Sequence, residues 1–202
     1  MRLHKKEIEQ LEQRFRTAFI NSLAGFRQAV LVGTKSESGN TNLAIFNSLI
    51  HLGANPALFG LISRPGSVQR DTVQNILETK VYTLNFVGAV HYKKAHQTSA
   101  RYDKDVSEFE KAGFAAFYQA ACYAPFVEEA VVKIAMKFED CIPIPLNGTE
   151  LIVGSIVQVD VDDAMVGADG FVNLTGSGVL ISQGLDAYFV SSEIGRLPYA
   201  KP

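Results

Sequence analysis

Two stretches in the second half of the chain restrict its fold more than anything else. Val132, Ile134, Met136 and Phe138 alternate with Lys133, Ala135 and Lys137, the period of two expected of a strand with one wet face. Glu150 to Val161 is a second β-rich run, longer than the usual strand, and it carries Gly154, where a barrel strand can bend or bulge. Short strands elsewhere, with intervening Gly, Asn and Asp turns, favour a barrel over a doubly wound sheet.

The rest of the pattern is consistent with that choice. Ala29 to Thr34 reads as a strand entering a turn at Ser36 to Gly39, and Thr41 to Phe46 resumes the chain beyond it. Leu58 to Ser63 and Val81 to Val87 read as strands, separated by a segment that starts at Pro65-Gly66 and becomes helical at Val73 to Leu77. Closing strands near Gly178 to Ile181 and Ala187 to Val190 bring the count to about seven β segments. Ile8, Leu11, Phe15, Phe19 and Leu23 recur at helical spacing, with Lys5, Glu9, Glu12 and Arg16 on the other face, so the spacing predicts one helix ended by Gly25. Tyr92 to Asp105 reads as a polar surface excursion, and Asp105-Val-Ser-Glu108 as a cap for a short helix running to Gly113. No repeat or linker divides the 202 residues, so the expected organisation is one domain over 1–202: a helix at 1–25, a barrel at 26–190 and a tail at 191–202.

Charge and composition narrow the function classes. Nineteen basic and 21 acidic side chains leave a formal charge of -2, so no summed positive field serves a nucleic-acid backbone. No apolar run approaches a membrane span. The first dozen residues mix charge with apolar character and lack a signal-like core, and Cys122 and Cys141 lie far apart without a CxxC partner; a reducing cytoplasm and passive thiols are expected. His4, His51, His91 and His96 show no metal-ligand spacing, and there is no GxSxG elbow or Walker lysine loop. Gly176-Ser-Gly178 opens like a dinucleotide fingerprint, but Ile181 takes the third glycine position.

The informative polar stretch is Ser63-Arg64 through Arg70-Asp-Thr72, directly before a helix. A helix start offers unpaired N–H groups and the positive end of the helix dipole, so Arg64 or Arg70, with the Thr72 hydroxyl, can hold a phosphate there. Asp71 or Thr72 can instead serve as a plain helix cap paired with an arginine; the Asp71-x-x-Gln74 spacing supports that reading, and the residues alone favour it while leaving the phosphate site open. A second cluster, Thr41, Asn42, Leu43, Ala44, Asn47 and Ser48, combines small and amide side chains of the kind that border a flat heteroaromatic ring. His96, Thr98 and Ser99 form a third.

Taken in order, these segments resemble the flavin-reductase-like family of FMN-binding split barrels, which includes the flavoredoxins and the reductase partners of two-component monooxygenases. The resemblance rests on Ala29-Val-Leu-Val-Gly-Thr34, Asn42-Leu-Ala-x-Phe-x-Ser48, Arg70-Asp-Thr-x-x-Asn-Ile76, Ala95-x-x-Thr-Ser99, Ser107-Glu-Phe-Glu110, Pro125-Phe-Val-Glu128 and Gly154-Ser-Ile-Val157. It implies a homodimer with FMN near the subunit interface. The ring would lie along an Asn42 to Ser48 loop, and the phosphate on Arg70, Thr72 and hydroxyls such as Ser48 and Ser99. It further implies hydride transfer from NAD(P)H to the flavin, with a monooxygenase or another electron-acceptor protein as possible partner; the alternative within the family is an electron-carrier module reduced by a protein donor. A barrel for some other small molecule is the third reading. Departures fall on the nicotinamide side: Gln158-Val-Asp160 stands where the family often has a histidine, and Ser182-Gln-Gly-Leu-Asp186 replaces the usual Arg-Leu-Gly-Gly ahead of Tyr188.

Overall fold

The two long strands dominate the computed structural model, which describes residues 1–64, 71–120 and 122–201. In chain order the elements are α1 (Lys5–Gln10), α2 (Gln13–Leu23), β1 (Phe26–Gln28), β2 (Val30–Lys35), β3 (Thr41–Phe46), β4 (Leu49–Ala54), β5 (Ala57–Ser63), α3 (Asp71–Thr79) and β6 (Val81–Phe86). They continue with α4 (Tyr92–Gln97), α5 (Glu108–Ala112), β7 (Ala116–Phe117), β8 (Phe126–Val127), β9 (Val132–Ile144), β10 (Thr149–Val161), β11 (Ile181–Gln183) and β12 (Ala187–Phe189). The protein is mainly β with flanking helices, a split barrel.

Seven strands form one sheet in the order β3-β2-β6-β9-β10-β5-β4, and each neighbouring pair is antiparallel. The two edge strands, β3 and β4, are consecutive in sequence and separated only by Asn47 and Ser48. So short a link brings both edges of the sheet together at one end, and the sheet therefore curls back on itself. The two edges form the seam of the split barrel, with the link at its end. Ser48 closes the tight end: its hydroxyl donates to the Ile62 carbonyl at 3.0 Å and accepts the Ile62 N–H at 3.2 Å. A side chain thereby extends the β4–β5 ladder one step past Leu49↔Leu61.

The edge strand β3 is shielded by α5. The Leu43 N–H donates to Glu108 Oε2 at 3.0 Å, and the Thr41 and Ser107 hydroxyls meet at 2.7 Å. An exposed edge is a template for unwanted pairing, and α5 occupies it with side-chain acceptors. Inside the curl, Val30, Val32, Tyr82, Leu84, Ile134, Met136 and Ile152 form the main core. Gly154 sits at a register shift between β9 and β10. A Cβ there would overlap the Tyr82 hydroxyl, so the glycine is what lets the buried tyrosine lie under the bulge.

Several boundaries differ from the sequence expectation. The predicted first helix is two helices, because Leu11 turns extended (φ -57, ψ 145) and the Glu12 carboxylate caps a new start by accepting the Phe15 N–H at 2.9 Å. Gly25 ends α2 as expected, at φ 76. The Asn42 to Ser48 "loop" is strand β3 as far as Phe46, held by full pairing with β2. The Tyr92 to Asp105 excursion contains α4, whose Ala95 is buried. Ser107, rather than Asp105, precedes α5 as its cap residue, while Gly113 terminates it at φ 75. β11 begins at Ile181, where Gly178 to Ile181 was expected, since Gly178 turns left-handed at φ 61. A second sheet, β1-β11-β12, joins the two ends of the chain and was not foreseen.

Candidate functional site

A cavity of about 540 Å³ opens at the seam. The end of β3 and the Asn47-Ser48 link form one side, Ile62 to Arg64 at the end of β5 another, and Asp71 and Thr72 at the start of α3 a third. Thr98 to Tyr102 after α4 and the β1-β11-β12 sheet complete it. Six buried polar side chains line it: Asn42, Ser63, Thr72, Thr98, Glu108 and Ser182. Buried polar groups are retained in a core only where they are satisfied or used. Their concentration around one hollow makes it the candidate site.

Asn42 organises the wall nearest α3. Its amide nitrogen donates to Thr72 Oγ1 at 2.9 Å and to Thr34 Oγ1 at 3.3 Å, and Asn75 Nδ2 donates to the same Thr34 oxygen at 3.1 Å. These bonds pin the first turn of α3 to β2 and β3. Because the Thr72 oxygen accepts from Asn42, its own proton is left to donate, and a hydroxyl donor is thereby presented beside the N–H groups that a helix start leaves unpaired. Arg64 and Arg101 are exposed at the rim and make no ion pair among the described residues. Asp71 and Glu108 supply the opposing charge. Burial first, and then the Asp71 carboxylate, push the Glu108 carboxyl above the usual carboxylate range, against the lowering pull of the Leu43 N–H and its own.

On the far wall, Arg27, Ser182 and Tyr188 are successive register partners across β1, β11 and β12, and all three line the cavity. Arg27 Nη2 donates to the Asn21 carbonyl at the end of α2, at 3.3 Å. Arg27 Nε and Ser182 Oγ are buried without a partner among the described residues. Leaving a donor unsatisfied costs about 1–3 kcal/mol each. The Tyr188 hydroxyl forms a 2.9 Å hydrogen bond with His96 Nδ1, and burial followed by the Asp186 charge pushes the phenol upward.

A family model described as a flavin reductase like domain matches residues 24–175. The chain belongs to that family. The split-barrel protein of Shewanella frigidimarina NCIMB 400 that carries the name flavin reductase superposes with a TM-score of 0.95 at 48% identity, over 99% of this chain and 100% of its own. Nitrilotriacetate monooxygenase component B from Bacillus cereus superposes at 0.85 with 18% identity, covering 98% of each chain. Flavoredoxin of Desulfovibrio vulgaris (Miyazaki F) does so at 0.74 with 18% identity, over 87% of this chain and 92% of its own.

In this flavin reductase-like chain the residues singled out from sequence divide into three groups. Asn42, Ala44, Asn47, Ser48, Ser63, Arg64, Thr72, Thr98 and Ser99 line the cavity. Several spend their polar atoms locally, however: Ser48 on Ile62, Asn47 Nδ2 on the Gly184 carbonyl at 2.8 Å, Ser63 on the Arg64 carbonyl, Thr98 on Ala95 and Ser99 on His96. Thr41, Leu43 and His96 do not line it. Strand alternation turns Leu43 into the core, Thr41 faces Ser107, and His96 stands behind Tyr188. Arg70 lies outside the described residues. Sequence reasoning missed Asn21, Arg27, Glu108, Ser182 and Tyr188 as lining residues, because their meeting depends on pairings between distant parts of the chain. Glu108 alone had a local signal, as the first residue of a capped helix.

Proposed function

We propose that this cavity holds FMN and that the protein is an NAD(P)H:FMN oxidoreductase, working as one domain over residues 1–202. The observation that carries the reading is the convergence, at one seam, of a helix start, the oriented Thr72 hydroxyl and the exposed Arg64 on one side with the Asn42 to Ser48 strand end on the other. The donor set fits a phosphate ester joined to a flat ring. N–H groups at a helix start, a hydroxyl donor and a guanidinium suit the phosphate; backbone and small side chains along β3 suit a ring edge. Bound there, FMN would supply the redox chemistry, with a reduced nicotinamide as the hydride donor and the flavin N5 as the acceptor.

The chain's own part is positioning. Asn42 holds Thr72 toward the phosphate, the Ser48 bridge keeps the tight end of the seam closed, and α5 keeps β3 from sliding. The chemistry asks for no side-chain nucleophile. Holding two reactants in near-attack geometry can supply about 7–11 kcal/mol of the barrier. A homodimer is favoured by the apolar residues that α2 and its neighbours leave uncovered, Phe15, Ile20, Leu23 and Phe26. A monooxygenase component fits as electron acceptor, given the resemblance to a component B protein, and the cytoplasm fits as compartment.

The test has two readouts. FMN-loaded protein is expected to bleach anaerobically with NADH or NADPH. Tight FMN binding with no bleaching by either would refute the reductase reading and leave a carrier reduced by a protein donor. Thr72→Val is expected to weaken FMN by about tenfold, one charge-assisted hydrogen bond, and riboflavin far less. Arg64→Gln and Arg70→Ala are expected to act in the same direction. Equal losses for both flavins would overturn the phosphate assignment.

A further inference from the structure

The β1-β11-β12 wall is not explained by a site for FMN at the α3 side. Arg27 and Ser182 face each other in register, 155 residues apart in sequence, and both keep a buried donor without a partner. In an antiparallel pair, side chains directly opposite share a face and start a few ångströms apart, so the two side chains that carry the orphan donors stand side by side on one face. Tyr188, the next register partner, continues the same row, its hydroxyl held by His96. Ser182 is 4% exposed and yet lines the cavity, which places its hydroxyl just beneath the wall.

We propose that Arg27 and Ser182 bind the carboxylate of a second ligand that shares the cavity with the flavin. Its being second rests on the reading above; its being a carboxylate does not. The guanidinium spends one N–H on the Asn21 carbonyl, so its Nε edge and the Ser182 hydroxyl remain. Two adjacent donors match the two oxygens of a carboxylate, with the guanidinium supplying the charge. A phosphate, with three oxygens to satisfy, finds a fuller donor set at the start of α3. α2 then has a function: through Asn21 and through the Gln183 Nε2 bond to the Ser22 carbonyl at 3.3 Å, it fixes the guanidinium and its strand pair from behind.

The probe is benzoate, titrated calorimetrically into the full-length protein with and without FMN, against benzamide as uncharged twin and inorganic phosphate as a differently shaped anion. Benzoate is expected to bind saturably and about tenfold tighter than benzamide, the worth of one charge-assisted hydrogen bond, and tighter than phosphate. Arg27→Gln and Ser182→Ala are each expected to weaken benzoate by about tenfold or less than that for the serine. If Arg27→Gln does not fold, Arg27→Lys keeps the charge without the Nε donor and is expected to lose part of the affinity. Equal binding of benzoate and benzamide, no benzoate binding, or unchanged affinity in the Arg27 variants would overturn the proposal. So would loss of FMN in parallel with benzoate, which would assign the row to the flavin itself. Failure of FMN to bind while benzoate binds normally would overturn the flavin reading and leave this one standing.

Discussion

Glu108 offers the sharpest test of how α5 is fastened to the sheet. Its carboxyl is buried, accepts the N–H of the fully buried Leu43, and is displaced upward by that burial and by Asp71. Unfolded, a glutamate titrates near about 4.3. Between that value and its higher native position the native state binds more protons than the unfolded one, so this residue lowers stability as pH rises through the window. Above the window the loss is complete; below it the penalty is absent. Glu108→Gln retains a carbonyl oxygen for Leu43 and removes the titration. The glutamine protein is therefore expected to equal the parent at pH 4 and to exceed it at pH 8. Glu108→Leu also removes the titration but strands a buried N–H, at a cost of about 1–3 kcal/mol. For a chain of this size each 1 kcal/mol moves Tm by about 2–4 °C. Urea denaturation of the three proteins across pH 4 to 8 measures both effects. A parent that gains stability relative to the glutamine variant as pH rises would refute the assignment of burial as the dominant influence.

Other consequences follow from the packing. Gly154→Ala forces a methyl onto the Tyr82 hydroxyl and is expected to cost about 1–3 kcal/mol by urea denaturation. Adding Tyr82→Phe removes both the overlap and a buried hydroxyl that lacks a partner, so the double variant should recover part of the loss; parental stability in Gly154→Ala alone would contradict the close packing. Burial raises the thiols of Cys122 and Cys141, the latter also through Glu150 and Asp140. Native protein at pH 7 should therefore react slowly with a disulfide reagent and rapidly once unfolded, and immediate labelling of both would count against it.

The long strands were legible because burial on one face imposes alternation, and β9 keeps it through Phe138 before the Gly154 bulge opposite shifts the register. β4 was not. It is a largely exposed edge strand, stabilised by pairing with β5 and not by any pattern of its own. β1 and β11 have three residues each, too few to carry a period; β1 is held by its pairing with β11, and β11 by β1 on one side and β12 on the other. The break at Leu11 was hidden for the opposite reason: the apolar spacing continues through it, and only the competing capping role of Glu12 divides the helix.

The same distinction separates the two walls of the cavity. The wall beside α3 was visible because its residues are close in sequence and of types that announce a helix start, although strand alternation sends Leu43 away from the hollow that Asn42 and Ala44 face. The opposite wall is assembled from residues near 21–27 and 182–188, brought together only by the β1–β11 ladder. No local motif could signal it. The two-residue Asn47-Ser48 link that brings the sheet's edges together also lines the hollow. The turn that closes the barrel thus stands beside the polar side chains that the β1–β11 ladder delivers from distant parts of the chain, and the hollow belongs to neither segment alone.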